Sequence, residues 1–336
     1  MKLLLLLSLG AVAYAVPQDA ACAACHKTQS EKYYGHDGQY GNAMSRALYT
    51  AAEAEILEKY PKLEFRLGKY SYLIERRGKE SFYRVSDGKD KIELALRFAF
   101  GQGAAGQTYV FEYQGQLHES RVSFFKELGR LDLTMGAPPG EPRNLVEAAG
   151  REMSPKDVTA CFACHTTDSI VKGYVNFGDL QAGVGCVSCH GSATAHLKAM
   201  APMKKLSKLS AEEQSEACGR CHRTWADIAA NGPRGINNVR FQPYRLANSK
   251  CYDSDDRRIG CAGCHDAHAP LEKNLASYDG KCQACHASGA KVKKVCPKGE
   301  SNCASCHMPR YEIPGSNHQF TDHMIRIVRK NESYPN

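Results

Sequence analysis

The residues able to do chemistry in this 336-residue chain are its 16 cysteines and 13 histidines, and most of them recur at one fixed spacing. Fourteen cysteines fall into seven Cys-x-x-Cys-His motifs, numbered 1 to 7 along the chain. They are Cys22/Cys25/His26, Cys161/Cys164/His165, Cys186/Cys189/His190, Cys218/Cys221/His222, Cys261/Cys264/His265, Cys282/Cys285/His286 and Cys303/Cys306/His307. Two thiols three residues apart reach the two vinyl groups of one porphyrin as thioethers. The adjoining imidazole then binds the iron as proximal ligand. A disulfide scaffold leaves the histidine after every second cysteine unexplained, and a zinc site requires no histidine at that position. The expected cofactors are seven covalently attached c-type haems.

The other six histidines are His36, His118, His196, His268, His318 and His323. Six cannot serve seven irons, so at least one iron needs a different sixth ligand or an open position. His196 closes Cys-His-Gly-Ser-Ala-Thr-Ala-His, His268 closes Cys-His-Asp-Ala-His, and His318 and His323 follow the last motif. These four are expected as distal ligands. His268 lies three residues after His265 on one helical face, so it must serve a neighbouring haem. His36, in Tyr-Gly-His-Asp-Gly, reads equally as ligand or solvated loop, and His118 reads as a strand residue. The remaining cysteines, Cys251 and Cys296, are expected to form a disulfide in an oxidising compartment, with free thiols or a thiolate on iron as alternatives.

Several features bound the elements that carry these residues. Residues 1–15 combine Lys2, an apolar run from Leu3 to Val12 and Ala13-Tyr14-Ala15, which reads as a secretory signal. No other stretch approaches membrane-spanning length, so a periplasmic or extracellular protein without a membrane span is expected. The formal charge of +8 does not point to nucleic acid. Fourteen propionates, set against seven ferric cores, bring the oxidised protein to about zero. Arg234, Arg240 and Arg245 are candidate propionate partners, with an ordinary basic loop as the alternative.

Spacing divides the chain into a motif 1 segment (16–50), a haem-poor stretch (51–150) and a region with six motifs (151–336). Ile92, Leu94, Leu96 and Phe98 alternate with polar or small residues, as in a half-buried strand. Residues 70–77, 80–86, 108–113 and 117–125 are further strands, punctuated by Arg77-Gly78, Asp87-Gly88 and Gln114-Gly115. A small antiparallel sheet is expected there, with its aromatic residues in the core. Beyond residue 151, short helices such as 210–221 alternate with loops. The porphyrins must replace the missing apolar core, which brings neighbouring rings close together.

Four segments resemble secreted multihaem cytochromes of the group around the ammonia-oxidiser tetrahaem cytochromes and hydroxylamine oxidoreductase. These are Cys25-His26…Gly41-Asn-Ala-Met44-Ser-Arg-Ala-Leu48, Cys-His-Gly…His196, Cys264-His265-Asp-Ala-His268 and Cys306-His307-Met-Pro-Arg310…Phe320-Thr-Asp-His323. The resemblance implies a multihaem cytochrome fold: short α-helices and irregular chain around stacked haems, with a β-rich insert. It also implies electron transfer with protein redox partners, and it places Met44 where a thioether could ligate iron, at haem 1 or beside it. Met44 is expected to begin a helix running to about Glu55. Carriers and reductases both occur in the group. A reductase of nitrogen or sulfur oxyanions at an open haem, and a subunit of a homo-oligomeric filament, therefore stand as alternatives to a relay.

Overall fold

The structure is a computed structural model that describes residues 19–287 and 296–335. The expected secretory signal at 1–15 lies outside the described residues.

Nine strands form one antiparallel sheet. They are β1 (Leu48–Thr50), β2 (Lys62–Leu67), β3 (Tyr70–Arg77), β4 (Glu80–Ser86), β5 (Lys91–Phe100), β6 (Gln107–Tyr113), β7 (Gln116–Phe125), β8 (Arg130–Leu133) and β9 (Gly150–Glu152). Strands β2 to β8 pair in sequence order, β1 joins β5, and β9 joins β7. Bulges between Leu96 and Phe98 and between Thr108 and Val110 bend the long strands, and β2 approaches β8, so the sheet curls on itself. Gly78 and Gly115 turn the hairpins at φ 64° and 79°, in the left-handed region where glycine carries no Cβ penalty.

The sheet is larger than expected. Strands of only three or four residues such as β1, β8 and β9 show no alternation and exist because a neighbour supplies their hydrogen bonds. Its inner face buries Leu57, Tyr72, Ile74, Tyr83, Val85, Phe111, Val122 and Phe124 in one cluster. His118 is part of this core, stacked on Phe111 at 5.3 Å.

The helix expected from Met44 to Glu55 does not form. Asn42 accepts a hydrogen bond from Met44 N (2.9 Å) and caps a single 3-10 turn, Ala43–Arg46. The chain then enters β1, because Leu48 is drawn into a cluster with Phe98, Val110, Met153 and Phe162. Tertiary packing outweighs helix propensity here.

From residue 154 onward short helices alternate with irregular chain. Pro155–His165 and Ala211–His222 each start at a serine with a reciprocal capping box, Ser154/Asp157 and Ser210/Glu213. Both end on the histidine of an attachment motif. Two small hairpins complete the region, β10 (Ile170–Val171) with β11 (Tyr174–Val175), and β12 (Arg310–Glu312) with β13 (Gln319–Thr321). Among the described residues, no helix is long and apolar enough to cross a membrane.

Candidate haem sites

In motifs 2 to 7 the Cys-x-x-Cys pair sits on a helix that ends at or just before its histidine, whereas in motif 1 the helix Asp19–Ala23 ends before Cys25. The imidazoles are prepared for metal binding at one nitrogen. Nδ1 of His165 donates to Ala47 O (2.8 Å), that of His190 to Lys204 O (2.7 Å) and that of His307 to Arg326 O (2.8 Å). His196 and His323 donate in the same way to Ala201 O (2.8 Å) and Thr321 O (3.0 Å). A carbonyl can only accept, so the proton is on Nδ1 and the Nε2 lone pair is free for iron. Burial pushes the pKa of His165, His222, His265 and His268 down, and that of His323 to about 4, which keeps these rings neutral. His118 has a similar bond to Gln116 O (3.1 Å), so this feature does not identify a ligand by itself.

Ring pairing is more selective. His26 faces His196 with centroids 6.2 Å apart, and His190 faces His268 at 5.9 Å with planes only 8° apart. His265 faces His323 at 6.1 Å. Two imidazoles on opposite sides of one metal ion, each bonded at about 2 Å, put their centroids about 6 Å apart. All three pairs match that gap, so residues and cofactor fit. In each pair a motif histidine meets one that follows a later motif or the last one. His268 faces His190, not His265.

The other expected ligands are placed differently. His318 lies edge-on to Phe320 (4.8 Å), with Nδ1 3.6 Å from Glu127 Oε1, and among the described residues no imidazole stands opposite it. Met44 is half-buried in its 3-10 turn, where its carbonyl accepts from Val184 N (3.0 Å). His36 points at Asp37 (3.0 Å) on the surface. Among the described residues His165, His222, His286 and His307 have no facing imidazole.

The attachment motifs also touch one another. Thiols meet between Cys22 and Cys186, Cys164 and Cys221, Cys218 and Cys261, and Cys282 and Cys303. Cys189 lies near Cys218, and Cys264 near Cys282. Every motif therefore adjoins another, in the order 1–3–4–5–6–7, with motif 2 beside motif 4. Asp19, Cys22 and Cys186 converge within 4.8 Å, a spacing that could hold a metal ion. Both thiols belong to attachment motifs, however, and Asp19 already accepts from Cys186 N (2.9 Å) and from the Tyr34 hydroxyl.

That Asp19 bond is one of three clasps the sequence reading missed. Asp279 accepts from Asn302 N (2.6 Å) and Cys303 N (2.9 Å), joining motif 6 to motif 7. Gln214 accepts from Ala262 N (2.7 Å) and donates to Leu209 O (3.0 Å), joining motif 4 to motif 5. Asp19 and Asp279 each stand three residues before the first cysteine of their own motif, a spacing signal visible in the sequence. Phe162, inside motif 2, was also missed. It is fully buried and meets Phe98 and Phe100 edge-on at 5.1 Å each, which docks the sheet onto that motif.

Two expectations are corrected. Cys251 and Cys296 are free thiols, so the expected disulfide is not formed; Cys251 lies near Cys282 and Cys285. Arg245 is not available to a propionate, because it is fully buried and bound to Asp322. Arg234 is exposed and donates to Ala229 O (3.0 Å). Arg240 keeps a buried Nε without a partner, which leaves it able to take an anion.

Comparison with known proteins agrees with this arrangement. The family model for cytochrome c554 and c-prime matches residues 116–191, which hold motifs 2 and 3. The multihaem cytochrome MtrA of Shewanella baltica (strain OS185) is 28% identical over 135 residues, covering 37% of this chain and 35% of MtrA. The chain thus spans about a third of the length of that relative. The crystal structure of the outer cell wall cytochrome OcwA superimposes with a TM-score of 0.51 at 14% identity, over 92% of this chain and 79% of OcwA. The chain is thus similar, over part of its length, to multihaem c-type cytochromes. The likeness implies covalently bound c-type haem, and in this chain a large antiparallel sheet stands alongside the short helices.

Proposed function

We propose that this chain is a secreted heptahaem electron carrier that passes electrons along a continuous row of haems between protein redox partners. The observation that carries the reading is that each of the seven attachment motifs touches another. Haem iron supplies the reversible one-electron chemistry. The chain's residues do the rest. The paired cysteines would hold the rings, and His26, His165, His190, His222, His265, His286 and His307 would bind the irons, with His196, His268 and His323 as second imidazoles at irons 1, 3 and 5. His318 and Met44 are the proposed further ligands for irons that lack a facing imidazole. The clasps Asp19, Gln214 and Asp279 hold neighbouring motifs at fixed separation, so that hopping distances stay short.

A second reading is favoured by the four motif histidines without a facing imidazole, since an open iron could reduce a nitrogen or sulfur oxyanion. Two measurements decide. Intact mass after denaturation should correspond to seven haems, and six or fewer would refute the stoichiometry. Stopped-flow reduction should reach all haems rapidly, while turnover of nitrite, hydroxylamine, tetrathionate or sulfite stays near background. Sustained turnover at about 1 s⁻¹ or more would transfer the assignment to an oxidoreductase.

A further inference from the structure

The carboxy-terminal chain ends in a buried knot of charge. Arg245 and Asp322 are both completely buried; Nε donates to Oδ1 (2.8 Å) and Nη2 to Oδ2 (3.0 Å). Nη1 of Arg245 donates to Pro335 O (2.9 Å), and the Tyr334 ring covers the guanidinium at 4.7 Å. Asp322 also accepts from Arg326 Nη1 (2.7 Å), and Arg326 Nη2 donates to the Tyr311 hydroxyl (2.9 Å). Apolar residues of similar volume could stabilise such a core as well as a buried ion pair does, so stability alone does not account for it.

Its position suggests a more specific role. Asp322 directly precedes His323, the ring that faces His265. The His323 carbonyl is held by Ser249 Oγ (2.9 Å), and the same hydroxyl accepts from Ile325 N (2.8 Å). Arg326 brackets the histidine of motif 7: its carbonyl accepts from His307 Nδ1 (2.8 Å), and its N–H donates to His307 O (3.2 Å). The ion pairs thus join two ligand-bearing segments that serve different irons.

We infer that Arg245, Asp322 and Arg326 are positioning residues that hold the axial imidazoles of haems 5 and 7 in one shared clasp. The inference rests on His323 being a ligand of haem 5. Within the clasp, loosening Asp322 lets His323 leave its iron and lets the Arg326 carbonyl drift from His307. The two haems should therefore respond together to a single substitution.

The test uses full-length holoprotein, with carbon monoxide as the probe of open ferrous iron and low-temperature electron paramagnetic resonance as the probe of ferric ligation. His323→Ala should add about one carbon-monoxide-reactive haem and remove one low-spin signal. Asp322→Asn should raise carbon monoxide uptake above wild type and shift two signals, the low-spin signal of haem 5 and the signal of haem 7. Ser249→Ala should shift only the haem 5 signal, and it decides the matter if Asp322→Asn fails to accumulate. Wild-type spectra and uptake in both variants, beside a gain in His323→Ala, would overturn the clasp and leave the ligand assignment standing. No gain in His323→Ala would remove the ligand assignment, and the clasp with it.

Discussion

The sheet and the haem-bearing region hold themselves together by different means. In the sheet, Tyr72, Ile74, Tyr83, Val85, Phe111 and Phe124 form an apolar interior of the ordinary kind. Beyond residue 154 the buried apolar side chains are scattered, among them Val184, Ile228, Val239 and Ile313. Order there depends on polar clasps and on the facing imidazole pairs. One region carries its core in its sequence. The other leaves room for a core that arrives as a cofactor. Phe162 stands at the boundary, a motif residue packed into the edge of the sheet.

Removing haem should separate the two regions most sharply. Full-length chain produced without haem attachment should keep a protease-resistant fragment spanning about residues 48–152 and lose the remainder to digestion. A resistant fragment reaching residue 330 would show that the second region has a sufficient core of its own. At the next level, Phe111→Ala and Phe162→Ala should each cost about 3–5 kcal/mol, with different signatures. The first should lower the unfolding midpoint of the sheet, followed by circular dichroism, and leave the Soret band of the folded protein unchanged. The second should disturb both, because its ring belongs to both regions. Identical behaviour of the two variants would remove Phe162 from the boundary.

A smaller change is expected from Gln214→Ala, which strands the half-buried Ala262 N–H and should cost about 1 kcal/mol. Its effect should appear in the haem transition and not in the sheet transition. The smallest is a pH effect confined to the sheet surface. Hydrogen bonds from Arg77 and Arg84 hold the Glu93 carboxyl down at about 2. A depressed carboxyl contributes its stability above the ordinary glutamate value of about 4.3 and loses it as pH falls toward about 2. Acid titration of Glu93→Gln should therefore lack part of the wild-type decline in that window. Added salt should shrink the difference, because the group is exposed.

The legible parts of the molecule were those encoded locally. Alternation along Tyr70–Arg77, Glu80–Ser86 and Ile92–Phe98 announced strands because one face of each is buried against neighbours in the same sheet. Strand β2 carried the same signal, in Leu63, Phe65 and Leu67, and was overlooked. Strands β1 and β9 had no signal to read, since three residues are too few to show a period. The attachment motifs declared themselves, and histidine arithmetic limited how many irons could be bis-histidine. The choice of partner was hidden, because His26 meets His196 only after most of the intervening chain has folded back. Arg245 looked like a solvent-side cation for the same reason: its partner Asp322 lies far along the chain.

The three facing pairs have a consequence in terms of chain connectivity. With iron between the rings, His26–His196, His190–His268 and His265–His323 become cross-links that close loops of 170, 78 and 58 residues. Closing long loops restricts an unfolded chain in the way a disulfide does, and the effect grows slowly with loop length. The loops also overlap, since the second opens at residue 190 before the first closes at 196, and the third opens at 265 before the second closes at 268. They form links of one chain, so losing the ligand at any one iron leaves its neighbours still fastened. A protein secured in this way can be expected to yield one haem site at a time under denaturant, with the sheet untouched between its fastenings.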